Sequence, residues 1–199
     1  ITDSFADSDN PLAASPVSED LKRIAVAVEC FHKASLVHDD IEDGDDHRYG
    51  EQTVHAEHGV PVALNVGDLL LGEGYRLISL CESDGPTIAR MLRIAAEGHR
   101  TLCLGQGAEL CWARDPRPLR SLQVLDIFRQ KTSPAFDVAL RLGAALAGAD
   151  EDVMDVLAQY SRSLGIAYQI HDDLSDLAGA GDGPDDVSAM RPTIALAVA

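Results

Sequence analysis

The strongest constraint on the fold is the helical spacing of the apolar residues. From Leu21 to Leu36, apolar and small side chains recur every three or four residues, which is the period of an amphipathic helix. Ser18 precedes this stretch as a potential N-cap and Gly44 follows it as a helix-ending residue. The pattern therefore predicts one long helix from residue 18 to about residue 44, with an acidic segment at its end.

The same helical period continues through the rest of the chain, interrupted by proline and glycine turns, and no segment predicts a strand. The expected helices cover, approximately, residues 61–81, 87–112, 119–131 with a kink or restart at Pro134, 150–177 and 189–199. The predicted fold class is all-α, with long helices packed around a central cavity.

Composition limits the domain organisation and the partners. The chain has 199 residues, 46% of them hydrophobic, which predicts one domain with a real core. Residues 1–17, rich in Ser, Asp and Pro, are expected to form a flexible lead-in to a domain at 18–199. The net charge of −17 argues against nucleic acid as a partner, because such a surface repels it.

Four cysteines, at positions 30, 81, 103 and 111, form no CxxC pair and lie in apolar stretches. They predict reduced core thiols in a cytoplasmic protein. No apolar run approaches the roughly 18 residues of a membrane span, so no span is expected.

Two acidic boxes of the form DDxxD are the strongest functional signal. They comprise Asp39, Asp40 and Asp43, and, 133 residues later, Asp172, Asp173 and Asp176. On a helix, side chains four residues apart lie on one face, so each box predicts a carboxylate pair. Oxygen ligands of this kind suit magnesium, which binds a few carboxylates together with substrate phosphates.

A single DDxxD box in an acidic protein is usually a solvated surface. Here two boxes end separate amphipathic helices, each after an aliphatic stretch that closes with a histidine, His38 or His171. This repetition favours a functional site in which both boxes face one diphosphate.

At these residues the chain resembles the trans-isoprenyl diphosphate synthase (polyprenyl synthetase) family. The first motif matches HKASLVHDDIEDGDDHRYGEQTVH and the second YQIHDDLSD. Between and after them, the matching segments are NVGDLLL (65–71), GQGAEL (105–110), KTSPAF (131–136) and DVSAMRPT (186–193). The resemblance covers residues 20–199 and implies an isoprenoid-synthase-type helical bundle that is incomplete at both ends here, since the family is usually longer.

The resemblance also implies a reaction. Three magnesium ions per site, held by both boxes, bind the diphosphate of an allylic substrate and assist its departure. Isopentenyl diphosphate then attacks the allylic cation, and loss of a proton completes a five-carbon extension. Direct metal ligands are expected to be Asp39, Asp43 and Asp172, with Asp40, Asp173 and Asp176 as the remaining members of the boxes.

Further site residues follow only from their match to the family's motifs. Arg48, Lys131 and Arg191 are expected on the allylic diphosphate, where Arg191 replaces the family's usual Lys, and Thr132 is expected to bind substrate. Gln169 matches an aromatic-Gln pair, Gln106 a Gly-Gln element and His32 a contact to isopentenyl diphosphate. The residues that the resemblance implies to be catalytic are Asp39, Asp40, Asp43, Arg48, Lys131, Gln169 and Asp172. Glu42, Asp45 and Asp46 are expected to be surface or supporting charges.

The chain departs from the family pattern in the site for isopentenyl diphosphate. Tyr49 stands where the family typically has a second Arg, and residues 1–30 contain no Gly-Lys-x-Arg segment. Chain length is expected to depend on Phe31, Ala34 and Ser35, since the last two are small and Phe31 can form a tunnel floor. An equally open interpretation is that Phe31 only packs between helices.

Two other functions remain open from the sequence. A class I terpene cyclase shares the metal-triggered ionisation, but would line its cavity with more than the nine aromatic residues present. A non-catalytic partner subunit would not need two intact acidic boxes. The favoured interpretation is a prenyltransferase, and a homodimer is expected from the family resemblance.

Overall fold

The computed structural model describes residues 17–177, 192, 193 and 197, apart from the side chains of residues 176 and 177. In chain order the elements are α1 (Glu19–Asp43), β1 (His47–Arg48), β2 (Glu51–Gln52), α2 (Val54–His58), α3 (Val60–Ser79), α4 (Gly85–Arg114), α5 (Ser121–Lys131), α6 (Ser133–Leu146) and α7 (Glu151–Leu177). Long helices dominate, so the predicted all-α class is confirmed.

Helix α1 begins and ends where its capping residues predict. The Ser18 hydroxyl accepts a hydrogen bond from the Leu21 amide at 3.2 Å. At the other end Gly44 adopts φ 71°, and its N–H donates to the carbonyl of Asp40, a helix stop that glycine forms without steric cost. The acidic box therefore occupies the last turns of α1.

Later boundaries also follow local sequence signals. Pro61 lies in the first turn of α3, and Asp84 caps α4 by accepting from the Thr87 amide at 2.8 Å. Pro134 marks a restart, because α5 ends at Lys131 and α6 begins two residues later. The expected lead-in at 1–17, except residue 17, and most of the expected last helix at 189–199 lie outside the described residues.

A small antiparallel hairpin after α1 has no sequence signal, because its strands have two residues each. His47 pairs with Gln52 and Arg48 pairs with Glu51. Tyr49 and Gly50 connect the strands with φ values of 54° and 82°, and positive φ at both positions is typical of a type I′ turn.

Helices α1, α3, α4, α6 and α7 share one hydrophobic core. Its buried members are Ile24, Ala27, Ile78, Cys81, Met91, Ile94, Ala95, Val138, Leu142, Ala145 and Met154. Helix α3 packs closely along α1, since a Cβ at Gly74 would lie 2.5 Å from the Phe31 ring. Helix α6 packs between α4 and α7.

The prediction that the cysteines are core residues is wrong for two of them. All four thiols are free, and Cys81 is buried, whereas Cys103 and Cys111 are exposed. Apolar neighbours in the sequence do not determine which helix face a residue occupies. Among the described residues, every helix is too short or too polar to cross a lipid bilayer.

Candidate active site

The two acidic boxes line one cavity. It has a volume of about 270 Å³, and its walls come from α1, the hairpin and its preceding loop, α4, α5 and α7, with one residue beyond α7. The lining residues are Leu36, Asp39, Asp43, Asp45, Arg48, Glu109, Phe128, Lys131, Gln169, Asp172, Asp173 and Pro192. The structure thus brings together residues more than 130 positions apart.

Asp39 lies in an environment that opposes its negative charge. Burial raises the pKa of this carboxyl to about 6, against the attraction of Lys131. Like-charge repulsion from Asp43, Glu42 and Glu109 contributes to that value in the same direction. A positive ion at this point would relieve both effects, because it would neutralise the charge cluster that burial and repulsion disfavour.

Asp40, the second residue of the first box, is buried and forms an ion pair with Arg48. The guanidinium Nε and a terminal nitrogen both lie 2.6 Å from Asp40 Oδ1. The hairpin carries Arg48 back over the end of α1, which places the guanidinium in the cavity wall while Asp40 does not line it. Asp40 therefore holds the charged Arg48 side chain in the cavity wall.

Lys131 enters the cavity at the end of α5 and donates to Glu109 of α4 at 2.8 Å. Close packing brings the two helices together, because a Cβ at Gly105 would lie 2.5 Å from the Lys131 backbone nitrogen. Burial alone would lower the pKa of Lys131. Its carboxylate neighbours outweigh this effect, so its pKa lies above the ordinary value and the side chain stays charged.

Gln169 reaches the cavity from α7 and is oriented from the turn between α5 and α6. The Thr132 hydroxyl donates to Gln169 Oε1 at 2.9 Å. A tight approach of α6 and α7 supports this contact, since a Cβ at Gly165 would lie 2.6 Å from the Ser133 Cα.

The second box contributes Asp172 and Asp173 to the cavity wall. Asp173 is buried, with 2% exposure, whereas Asp172 is exposed. Asp176 belongs to α7, but its side chain lies outside the described residues, as does Arg191. Among the described side chains, no three potential metal ligands converge on a single point.

Other predicted residues lie outside the cavity wall. His32 is exposed on α1. It precedes Asp39 by roughly 10 Å along the helix axis, at a rise of about 1.5 Å per residue. Gln106 is buried and donates from Nε2 to Glu42 at 2.7 Å. The Ser35 hydroxyl bonds the carbonyl of His32.

The three residues predicted to control chain length lie on α1 in the turns before the box, and they do not line the cavity. Ala34 is fully buried. Phe31 packs edge-on against Tyr75 of α3, with ring centroids 5.0 Å apart. The Tyr75 hydroxyl in turn lies 3.2 Å from His99 Nδ1 of α4, so these side chains connect three helices.

Sequence reasoning missed several lining residues. Glu109 had a usable signal, since it lies one turn after Gln106 on the same helix. Asp45, expected as a surface or supporting charge, lines the cavity. Glu42, which carried the same expectation, accepts a hydrogen bond from the buried amide of Gln106. Leu36 and Phe128 supply the apolar part of the wall, and helical spacing alone does not distinguish them from core residues.

Comparison with known proteins agrees with this architecture. The family model described as Polyprenyl synthetase matches residues 5–188. The geranylgeranyl pyrophosphate synthase of Geoglobus acetivorans is 34% identical over 85% of this chain and 54% of that protein. The geranylgeranyl diphosphate synthase of Methanosarcina mazei is 32% identical over 83% of this chain and 52% of that protein.

Solved structures show the same similarity. Geranylgeranyl pyrophosphate synthetase from Pyrococcus horikoshii aligns with a TM-score of 0.82 and 30% identity, covering 89% of this chain and 56% of that one. Polyprenyl synthetase from Streptomyces coelicolor aligns with a TM-score of 0.80 and 30% identity, covering 93% and 55%. The chain thus spans about half the length of the relatives it matches. Its residues, fold and family-model match show that the chain belongs to the polyprenyl synthetase family.

Proposed function

We propose that the protein containing this chain is a trans-isoprenyl diphosphate synthase. It condenses an allylic diphosphate with isopentenyl diphosphate and releases diphosphate. The observation that carries the proposal is the meeting of both acidic boxes in one cavity beside Arg48 and Lys131. Relatives named geranylgeranyl and farnesyl diphosphate synthases support it.

Magnesium fits the donor set of this cavity. Six carboxylates and two cationic side chains line it, so an anionic diphosphate needs additional positive charge. Three magnesium ions per site are proposed. Their direct ligands are Asp39, Asp43 and Asp172, and the remaining members of the boxes are Asp40, Asp173 and Asp176. When bound, magnesium stabilises the diphosphate as a leaving group.

Arg48 and Lys131 are proposed to hold the allylic diphosphate, together with Arg191, whereas Thr132 is proposed to contribute to substrate binding through Gln169. Asp40 and Glu109 fix these two cations before any substrate binds. Their positive charges favour cleavage of the carbon–oxygen bond, because the departing diphosphate takes the electron pair.

Gln169 is proposed to face the allylic fragment that remains. Its amide is held by Thr132, so its orientation does not need to change during the reaction. A preorganised amide dipole of this kind stabilises the positive charge that develops on the allylic fragment, without the cost of reorienting solvent.

The site for isopentenyl diphosphate is proposed to include His32. Tyr49, the residue at the family's second Arg position, is 83% exposed at the hairpin turn and does not line the cavity. It supplies no positive charge to a second diphosphate.

Chain length is proposed to be limited by Phe31, while Ala34 and Ser35 leave the tunnel open above it. The contacts of Phe31 with Tyr75 support a fixed floor. Phe31→Ala should therefore shift products toward longer chains in chromatographic analysis. Phe136→Ala is the matched control, because that ring contacts Tyr168 instead, and an unchanged product length in Phe31→Ala would contradict the floor.

The proposed protein is a cytoplasmic homodimer. Exposed Val62 and Leu69 on α3, with Leu80 at its end, offer apolar surface for a second copy. Sedimentation of the full-length protein at micromolar concentration tests whether it is a dimer.

The decisive experiment incubates the full-length protein with magnesium, farnesyl diphosphate and isopentenyl diphosphate. Longer prenyl diphosphates are expected. A hydrocarbon or alcohol product would indicate a terpene cyclase instead, and no turnover by a folded protein would indicate a partner subunit.

A further inference from the structure

The hairpin that carries Arg48 into the cavity wall is closed at its base by a buried threonine. Thr53 follows β2 directly and is 3% exposed. Its backbone N–H donates to the carbonyl of Asp46 at 3.0 Å, and this bond extends the ladder of β1 and β2 by one further pair. Residues 46 and 53 therefore join the two arms of the hairpin at the end opposite its turn.

The Thr53 hydroxyl faces His55 and not the helix that follows. Thr53 is the N-cap residue of α2, a position at which threonine usually accepts a hydrogen bond from the first helical turn. Among the described residues, its side chain accepts no such bond. Oγ1 lies 3.1 Å from His55 Nδ1 instead, and the His55 side chain is only 11% exposed. The hydroxyl thus binds the imidazole at the expense of a helix cap.

The contact between Thr53 and His55 is available in either charge state of the ring. A hydroxyl donates to an unprotonated ring nitrogen and accepts from a protonated one. On the other side of the ring, Nε2 lies 4.0 Å from Asp46 Oδ1, which is too far for a hydrogen bond. The Asp46 carboxylate is also 76% exposed, so it contributes little. The hold of His55 on the hairpin therefore comes through Thr53.

Arg48 needs this hold because its hairpin is short. A two-stranded hairpin is marginally stable by itself, and each strand here has two residues. The Asp40 carboxylate holds the guanidinium end of Arg48, whereas the base of the hairpin holds its backbone. Opening of the base would release β1 and move the guanidinium out of the cavity wall that it lines.

We infer that His55 is a positioning residue for Arg48. It acts through Thr53 and the hairpin, and it keeps the guanidinium where the diphosphate of the substrate binds. This role rests on the proposed function, which assigns the allylic diphosphate to Arg48. A histidine that only stabilised the fold would leave the affinity for diphosphate unchanged.

Binding of inorganic diphosphate in the presence of magnesium tests this role in the full-length protein. Isothermal titration calorimetry should show an affinity about tenfold lower in His55→Ala, the size expected when a charged hydrogen-bonding contact is lost. His58→Ala is the matched control, because His58 lies on the same helix and its side chain is 54% exposed. Its affinity should equal that of the wild type. Wild-type affinity in His55→Ala would overturn the inference.

The same measurement in an Arg48→Ala background shows whether His55 acts through this arginine. If it does, His55→Ala lowers the affinity no further once Arg48 is absent. A full tenfold loss in both backgrounds would overturn the inference, because His55 would then reach the site by another route. His55→Asn, which keeps a polar group near the position of Nδ1, should recover most of the lost affinity. It also replaces His55→Ala in these comparisons if the alanine variant does not fold.

Hydrogen exchange measures the hairpin independently of any ligand. Peptides that cover residues 45–53 should exchange faster in His55→Ala than in the wild type, while peptides from α6 exchange as before. Unchanged exchange in the hairpin would contradict the hold of His55 on its base. If the wild type binds magnesium and diphosphate but does not extend prenyl substrates, the synthase proposal fails. The calorimetry and the exchange rates then still report whether His55 positions Arg48.

Discussion

The same helices build two chemically opposite ends of the molecule. Helix α1 starts in the core at Ile24 and ends at the cavity with Asp39 and Asp43, and α7 likewise runs from Met154 to Asp172. Helix α6 runs the other way, with Leu142 in the core. The core end buries apolar side chains without charge, whereas the cavity end gathers carboxylates that repel one another.

This difference separates the source of stability from the source of function. Burial of apolar surface favours folding at the core end. At the cavity end, burial opposes the charge of Asp39 and raises its pKa. A cluster that is unfavourable without its ligand persists because the core end supplies the stability, an arrangement expected of functional sites.

The largest expected effect comes from removing a cavity carboxylate. Asp39→Ala or Asp172→Ala should lower kcat by about a thousandfold or more, because each removes a proposed magnesium ligand at the leaving group. Circular dichroism should show unchanged helix content. Asp155→Ala, an exposed acid of α7, is the matched control and should retain wild-type turnover. Normal rates in both cavity variants would refute the metal assignment.

The complementary experiment acts on the core end. Leu142→Ala should lower the free energy of unfolding by about 2–5 kcal/mol, since Leu142 is fully buried and its truncation leaves a cavity. Urea titration measures the loss. Leu140→Ala on the same helix, where the side chain is 37% exposed, should cost much less. Equal losses in the two variants would contradict the packing described here.

A third experiment uses a substitution in the cavity that is expected to increase stability. Asp39→Asn should raise the metal-free free energy of unfolding at pH 7.5 by about 1–3 kcal/mol. The reason is that Asp39 has a pKa of about 6 in the folded protein and 3.8 in the unfolded chain, so its ionisation costs stability. This cost grows as the pH rises between those two values and is fully present at pH 7.5. Thermal unfolding with and without magnesium measures it, and the magnesium-dependent gain of the wild type should shrink in the variant.

The control for this variant must separate burial from total charge. Asp46→Asn removes one charge from the same acidic run, but Asp46 is exposed, so its effect should be small. Equal stabilisation by both substitutions would mean that the net charge of −17, and not the environment of Asp39, governs the effect.

The helices and the acidic boxes could be predicted from the sequence because both depend on neighbouring residues. Ser18 and Gly44 define the ends of α1 locally, and the spacing of Asp39 and Asp43 places them on one face. The side-chain pairs could not be predicted in the same way. Glu109 meets Lys131 only because Gly105 permits close approach of α4 and α5, a condition that appears in three dimensions.

The hairpin illustrates a second limit of sequence reasoning. Strands of two residues carry no period, and a tyrosine followed by glycine is not a usual turn signal. Arg48 nevertheless depends on this hairpin to reach Asp40. The cation could therefore be assigned from its motif, but the structure that positions it could not.

The smallest expected effect concerns the turn of that hairpin, whose Tyr49 does not line the cavity. Tyr49 has φ 54° and precedes Gly50, so Tyr49→Asn creates the Asn-Gly pair that type I′ turns favour. We expect a gain of about 0.5–1 kcal/mol in the free energy of unfolding by urea titration, because asparagine tolerates left-handed backbone at lower cost. Tyr49→Val should change stability in the opposite direction, since a β-branched side chain is strained there. Losses of equal size in both variants would indicate that the exposed Tyr49 ring, 83% accessible, makes stabilising contacts that outweigh the strain of its backbone.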